Sequence, residues 1–118
     1  MLREGGFAIN YDELALVMKA MSDPNRLKIL DLISCDGKRA CEILYFFNFT
    51  QPTLSHHMKS LCEANLVEKS RDGKWVFYTL NRKTIGQINE QISKLLADDE
   101  SDCLCHLMTN YDEIDERK

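Results

Sequence analysis

No apolar run in this sequence reaches the ~18 residues that a helix needs to cross a bilayer. The opening stretch, M-L-R-E-G-G-F, lacks an apolar core of secretory length, which points away from export and towards the cytoplasm. An even set of cysteines is lacking as well, because there are 5. That odd count, without a secretory signal, argues against a disulfide framework and fits a reducing compartment. Free thiols there are buried filler, ligands or sensors. Proline occurs only at Pro24 and Pro52. Both positions suit the first turn of a helix, where a missing N–H costs nothing. Internal repeats and low-complexity linkers are absent, and 118 residues make one domain by length.

A net positive charge is also lacking. The balance is −4, which taken alone disfavours a nucleic-acid partner, but its distribution reverses that reading. Residues 1–50 hold 6 Lys/Arg against 7 Asp/Glu, residues 51–97 hold 7 against 4, and residues 98–118 hold 2 against 8. Phosphate binding needs a local basic surface, and the acid is concentrated in the last segment. We divide the chain accordingly into a folded unit at 1–97 and an acidic, cysteine-containing tail at 98–118.

Apolar spacing predicts a first helix over Tyr11 to Met21, with Leu14, Val17, Met18 and Met21 on one stripe. Ser22-Asp23-Pro24 is a helix-start signal, and a second helix is expected over Arg26 to Ser34, with Leu27, Leu30 and Ile33 inward. After a turn at Cys35-Asp36-Gly37, a short third helix runs from Arg39 to Phe47, with Ile43, Leu44 and Phe47 inward. Only Asn48-Phe49 separates it from the next helix, Gln51 to Glu63. That is helix-turn-helix spacing.

Thr50 to Leu61 reads T-Q-P-T-L-S-H-H-M-K-S-L and is the most informative segment. Thr50 is a capping residue, and Leu54, Met58 and Leu61 form one apolar stripe. The other face carries Gln51, Thr53, Ser55, His56 and Lys59, with no carboxylate among them. Such a helix suits a major groove lined with base edges and phosphates. Two strand-like runs follow, Leu66 to Ser70 and Lys74 to Leu80, around a turn at Arg71-Asp72-Gly73-Lys74. A hairpin placed directly after a recognition helix is a wing, and Arg71 and Lys74 make its tip basic. Helical period returns over Arg82 to Ala97, with Ile85, Ile88, Ile92, Leu95 and Leu96 on one face.

The fold expected is therefore mainly α with a small β-hairpin, a winged helix-turn-helix. Its first and last helices keep apolar stripes that so small a core need not cover. A homodimer through those two helices would cover them and would match the paired half-sites that such domains read.

In this order of elements the chain resembles the ArsR/SmtB family of bacterial metal- and metalloid-responsive repressors. The likeness spans roughly residues 11–97. It is carried by A-M-S-D-P-N-R-L-K-I-L (20–30), T-Q-P-T-L-S-H-H-M-K-S-L (50–61), L-V-E-K-S-R-D-G-K (66–74) and Y-T-L (78–80). The resemblance implies a dimer that sits on double-stranded operator DNA and leaves when an inducer binds. It also implies that Gln51, Thr53, Ser55, His56 and Lys59 face DNA, with Arg71 and Lys74 in the wing. No permanent cofactor is implied.

The arsenic-type members carry Cys-x-Cys at the start of the third helix. The matching stretch here is K-R-A-C-E-I-L, so Cys41 stands for the second cysteine and Arg39 for the first. One thiolate cannot hold As(III), Sb(III), Cd(II) or Pb(II), which want about three or four sulfurs. Cadmium and lead sensors of the family draw cysteines from an N-terminal arm, but residues 1–34 contain none. The zinc-type site on the last helix is also missing, because Arg82 and Thr84 stand at its positions. Cys103 and Cys105 offer a thiol pair in an otherwise hydrophilic tail, with His106 beside them. The expected metal ligands are Cys103, Cys105 and Cys41, with Cys62 next in order. Three sulfurs would suit As(III) or Sb(III), and a fourth would admit Cd(II) or Pb(II).

Two other readings stay open at this stage. The thiols could serve as a redox or reactive-sulfur switch on the same repressor. The winged helix could instead be a protein-interaction module. An enzyme is not expected: Ser55, His56 and His57 are neighbours in sequence, but adjacent helical residues point about 100° apart, and no acid is placed to orient a base.

Overall fold

Four of the five described helices begin at a residue whose side chain takes up a backbone N–H that the first turn leaves without a partner. The computed structural model describes residues 9–97. Helix α1 (Tyr11–Met21) opens at Asn10, whose side chain accepts from the Glu13 amide at 3.0 Å. Helix α2 (Pro24–Leu32) opens at Asp23, which accepts from the amides of Asn25 at 2.8 Å and Arg26 at 3.2 Å. In α3 (Ala40–Phe47) the Glu42 carboxylate reaches back to the Arg39 amide at 2.8 Å, and Asn48, at φ 59°, ends the helix. Helix α4 (Gln51–Glu63) is capped by Thr50, which accepts from the Thr53 amide at 3.2 Å. Asn81 caps α5 (Arg82–Leu95) through the Thr84 amide at 3.3 Å.

Strands β1 (Lys38–Arg39), β2 (Val67–Asp72) and β3 (Trp75–Leu80) form an antiparallel sheet in the order β1-β3-β2. The β2–β3 register runs from Val67 opposite Leu80 to Asp72 opposite Trp75. This leaves a two-residue loop at Gly73-Lys74, and Gly73 supplies the positive φ of 66° that its first position needs. Gly37 is required for a different reason. It has φ 81°, and a Cβ there would lie 2.7 Å from Thr79 Cγ2 and 2.8 Å from the Tyr78 carbonyl oxygen.

The core sits where α2, α3 and α4 meet the root of the hairpin. Ile29, Ile33, Ile43, Met58, Leu61 and Leu66 are its largest fully buried side chains. Each contributes about 1.5–3 kcal/mol relative to an exposed position.

Two sequence expectations need correction. The hairpin has a third strand, because Lys38 and Arg39 pair with Tyr78 and Phe77. Leu27 is 48% exposed rather than inward, since α2 begins at Pro24 and turns Ile29, Leu30 and Ile33 to the core. On α5, Ile88 is buried and Ile85 and Ile92 are half-buried, whereas Leu95 and Leu96 are exposed. Cys103 and Cys105 lie outside the described residues, as does the whole 98–118 tail.

Candidate nucleic-acid interface

Burying Leu54, Met58 and Leu61 against the core fixes which way α4 faces. Gln51, Thr53, Ser55, His56 and Lys59 are all exposed on its outer side. Thr53 is pre-set as well: its hydroxyl accepts from the Thr50 hydroxyl at 2.9 Å, which leaves its own proton to donate outward. Arg71 and Lys74 are exposed on the hairpin.

His57 looks inward and is 8% exposed. Arg26 Nε donates to His57 Nδ1 at 3.1 Å, while the Arg26 guanidinium also donates through Nη1 to the Ala20 carbonyl at 3.3 Å. An imidazole that accepts at Nδ1 is neutral, with its proton on Nε2. Burial, the largest influence, holds the His57 pKa below its ordinary value, and the positive charges of Arg26 and His56 add to this. Asp23 pulls the other way without prevailing. The helix-turn-helix bend is packed by aromatics: Phe49 stacks on Phe47 at 5.0 Å and 8°, and lies 5.5 Å from His57. Together, α2 and the bend hold α4 from both sides.

Two cations that the sequence reading left out join this surface. Lys69 lines a cavity of about 370 Å³ between α4 and the hairpin, with Ser55, Met58, Lys59, Cys62, Glu63 and Tyr78. Its signal was available, since Lys69 and Arg71 share one face of β2 by strand alternation. Arg39 was the other, and its guanidinium lies 4.8 Å from the Trp75 ring centroid.

The thiols are separated. Cys41 is exposed and lines a groove of about 360 Å³ with Leu32, Lys38, Glu42, Tyr45 and Phe46. Cys62 is half-buried in the cavity beneath Lys69. Burial pushes the Cys62 thiol pKa up, Glu63 adds to the rise, and Lys69 offsets part of it. No group of three or more His, Cys, Asp or Glu among the described residues could hold a metal ion.

Comparison with known proteins turns this geometry into a family. Residues 23–69 match the model of the bacterial regulatory protein, arsR family. The arsenical resistance operon repressor of Staphylococcus xylosus is 43% identical over 100 residues, covering 85% of this chain and 95% of the relative. The chain belongs to the arsR family. This ArsR-family chain is a regulator rather than an enzyme, and its matched segment runs from the α2 cap through α4 into β2. HlyU from Vibrio cholerae N16961 superposes with a TM-score of 0.62 at 26% identity, over 75% of this chain and 97% of its own. Mb0332 from Mycobacterium bovis, described as a homodimeric winged helix-turn-helix DNA-binding domain, gives 0.61 at 24% identity, over 76% and 85%. The winged helix-turn-helix fold follows from both.

Proposed function

We propose that this ArsR-family protein binds double-stranded operator DNA as a homodimer, represses transcription, and is released when its cysteines capture a thiophilic metalloid. The observation that carries the DNA part is the outer face of α4 from Gln51 to Lys59, which is exposed and holds no carboxylate, with Lys69 of the hairpin sharing a cavity with Ser55 and Lys59. In this reading Gln51, Thr53, Ser55 and His56 read base edges. Lys59, Arg71 and Lys74 take phosphates.

Dimerisation is supported by the apolar side chains that α1 and α5 leave outside. Leu16 is 66% and Leu96 76% exposed, with Tyr11, Met18 and Leu95 also uncovered. A second copy placed against these helices would bury them and set two α4 helices about one DNA turn apart. No helix among the described residues is long and apolar enough to cross a membrane. The reading places the protein in the cytoplasm with its DNA.

For the inducer, the Staphylococcus relative's name supports As(III), and Sb(III) shares its chemistry. The exposed Cys41 thiol is the one ligand we assign on the folded unit, with Cys103 and Cys105 of the acidic tail completing three sulfurs. Cys62 ranks below them, because burial disfavours its thiolate and it lines a different cavity from Cys41. A fourth sulfur would be needed for Cd(II) or Pb(II). Binding to the thiols releases DNA only if the DNA-free dimer binds the ion more tightly. A coupling of about 3–4 kcal/mol lowers occupancy by two to three orders of magnitude.

A second reading keeps the repressor and lets oxidation act on the exposed thiols Cys35 and Cys41. A mobility shift on the protein's own upstream DNA separates the two: arsenite releases the reduced protein in the first, and only an oxidant does so in the second. Failure to bind any upstream fragment at low salt would sink both.

A further inference from the structure

The substitution at residue 39 does more than remove a thiol. Arg39 caps α3 from the end of β1, and its side chain crosses to the hairpin, where its guanidinium lies 4.8 Å from the centroid of Trp75. Lys74 Nζ lies 5.3 Å from the same centroid. Trp75 is 41% exposed, a costly state for the chain's 1 tryptophan unless its face has a use. Both cations fall within the roughly 6 Å over which a ring face attracts positive charge. Like charges gathered on one ring repel each other, and Asp72, which stands opposite Trp75 across the hairpin, makes no ion pair with a described residue to offset this. Glu42 Oε1 accepts the Arg39 amide at 2.8 Å and stands 4.0 Å from Arg39 Nε, an exposed contact worth little. Lys74 makes no ion pair with a described residue.

We propose that Arg39, Lys74 and Trp75 form one basic platform at the wing that takes a DNA backbone phosphate outside the stretch read by α4. Trp75 orders the two long side chains before DNA arrives, and so lowers the entropy lost on contact. The planar guanidinium can stack on the ring and still present a fork of N–H groups to phosphate oxygens, whereas an ammonium offers a point charge without that bidentate geometry. Charge fixes the occupant: two cations around one exposed ring complement an anion, and the basic face of α4 adjoins the same hairpin. The inference rests on the DNA-binding reading and adds to it Arg39, which stands where arsenic-type relatives have a cysteine.

The test is fluorescence anisotropy of labelled upstream duplex with the full chain, repeated from low to moderate salt. Wild type, Arg39→Gln, Arg39→Lys and Trp75→Leu are compared, each checked for wild-type far-ultraviolet circular dichroism. One lost phosphate contact lowers the log–log salt slope by about 0.9, which is about fivefold in affinity near 0.15 M salt. Arg39→Gln is expected to show that loss. Arg39→Lys should keep the slope but bind more weakly than wild type, and Trp75→Leu should behave like it. Trp75 emission should change when unlabelled duplex is added to wild type. Wild-type binding with an unaltered slope in Arg39→Gln and unaltered Trp75 emission would overturn the platform alone. Absence of wild-type binding would overturn the DNA reading beneath it too.

Discussion

Arg26 Nε donates to His57 Nδ1 at 3.1 Å, and this one bond ties α2 to the inner side of the helix proposed to read DNA. It requires a neutral imidazole. Because burial depresses the His57 pKa, the unfolded chain binds a proton more readily than the folded one. The stability it contributes is complete above the ordinary histidine value of about 6.5 and is lost as pH falls from there through the depressed folded value. Thermal melts between pH 8 and 5 should show the midpoint falling below about 6.5. His57→Gln should start lower at pH 8, by roughly 1–2 kcal/mol, and vary less across that window. Asp23 acts elsewhere. Burial raises its pKa most, but hydrogen bonds from the Arg26 and Asn25 amides, with the nearby positive charge of Arg26, hold it below its ordinary value. Its stabilisation is therefore lost only in stronger acid.

The two turn glycines of the sheet should differ in what they tolerate. At Gly73 a Cβ meets nothing within 4 Å, so Gly73→Ala faces only the positive φ, at a cost of about 1 kcal/mol. At Gly37 a Cβ also collides with Thr79 and with the Tyr78 backbone. Urea unfolding should show Gly37→Ala to be the more destabilising by at least about 1 kcal/mol. Equal effects would mean that β1 does not lie against β3 as described.

Lys69 should behave as a phosphate contact although its strand lies behind α4. It shares a cavity with Ser55, Lys59 and Glu63 of α4, which brings its charge to the edge of the recognition face. Lys69→Ala is expected to weaken binding to all duplexes alike and to lower the salt slope by about one. Gln51→Ala, by contrast, should change which duplex is preferred.

Thiol reactivity should separate the cysteines. Cys41 is exposed, whereas Cys62 is half-buried with its thiol pKa raised by burial. Timed alkylation at pH 7.5 followed by mass spectrometry should label Cys41 well before Cys62. Labelling of Cys62 first would remove the reason for ranking it below Cys41 as a ligand.

Local signals were legible in the sequence, and contacts across the fold were not. The bounds of α4 followed from Thr50, Pro52 and the Leu54–Met58–Leu61 stripe, all within a few residues of each other. Its outer face followed from the same stripe. Strand β1 was not legible, because two residues carry no alternation and Lys38-Arg39 is a strand only through its pairing with β3. Leu27 misled because α2 carries apolar residues on several sides, so the helix period alone did not choose the inner one. The Arg26–His57 bond and the Arg39–Trp75 contact join residues 31 and 36 positions apart, a relation no local pattern encodes. For the thiols, sequence supplied candidates, but only geometry could place Cys41 and Cys62 in different cavities.

The central claim is release of DNA by thiolate capture of a metalloid, and a competition titration tests it most directly. Reduced protein is bound to labelled upstream duplex, arsenite is added, and anisotropy is followed for wild type, Cys41→Ser and the Cys103→Ser/Cys105→Ser double variant. The account predicts release of the wild type at micromolar arsenite, and retention by both variants, which still bind DNA with wild-type affinity. Release of the double variant at the same arsenite concentration as wild type would contradict it.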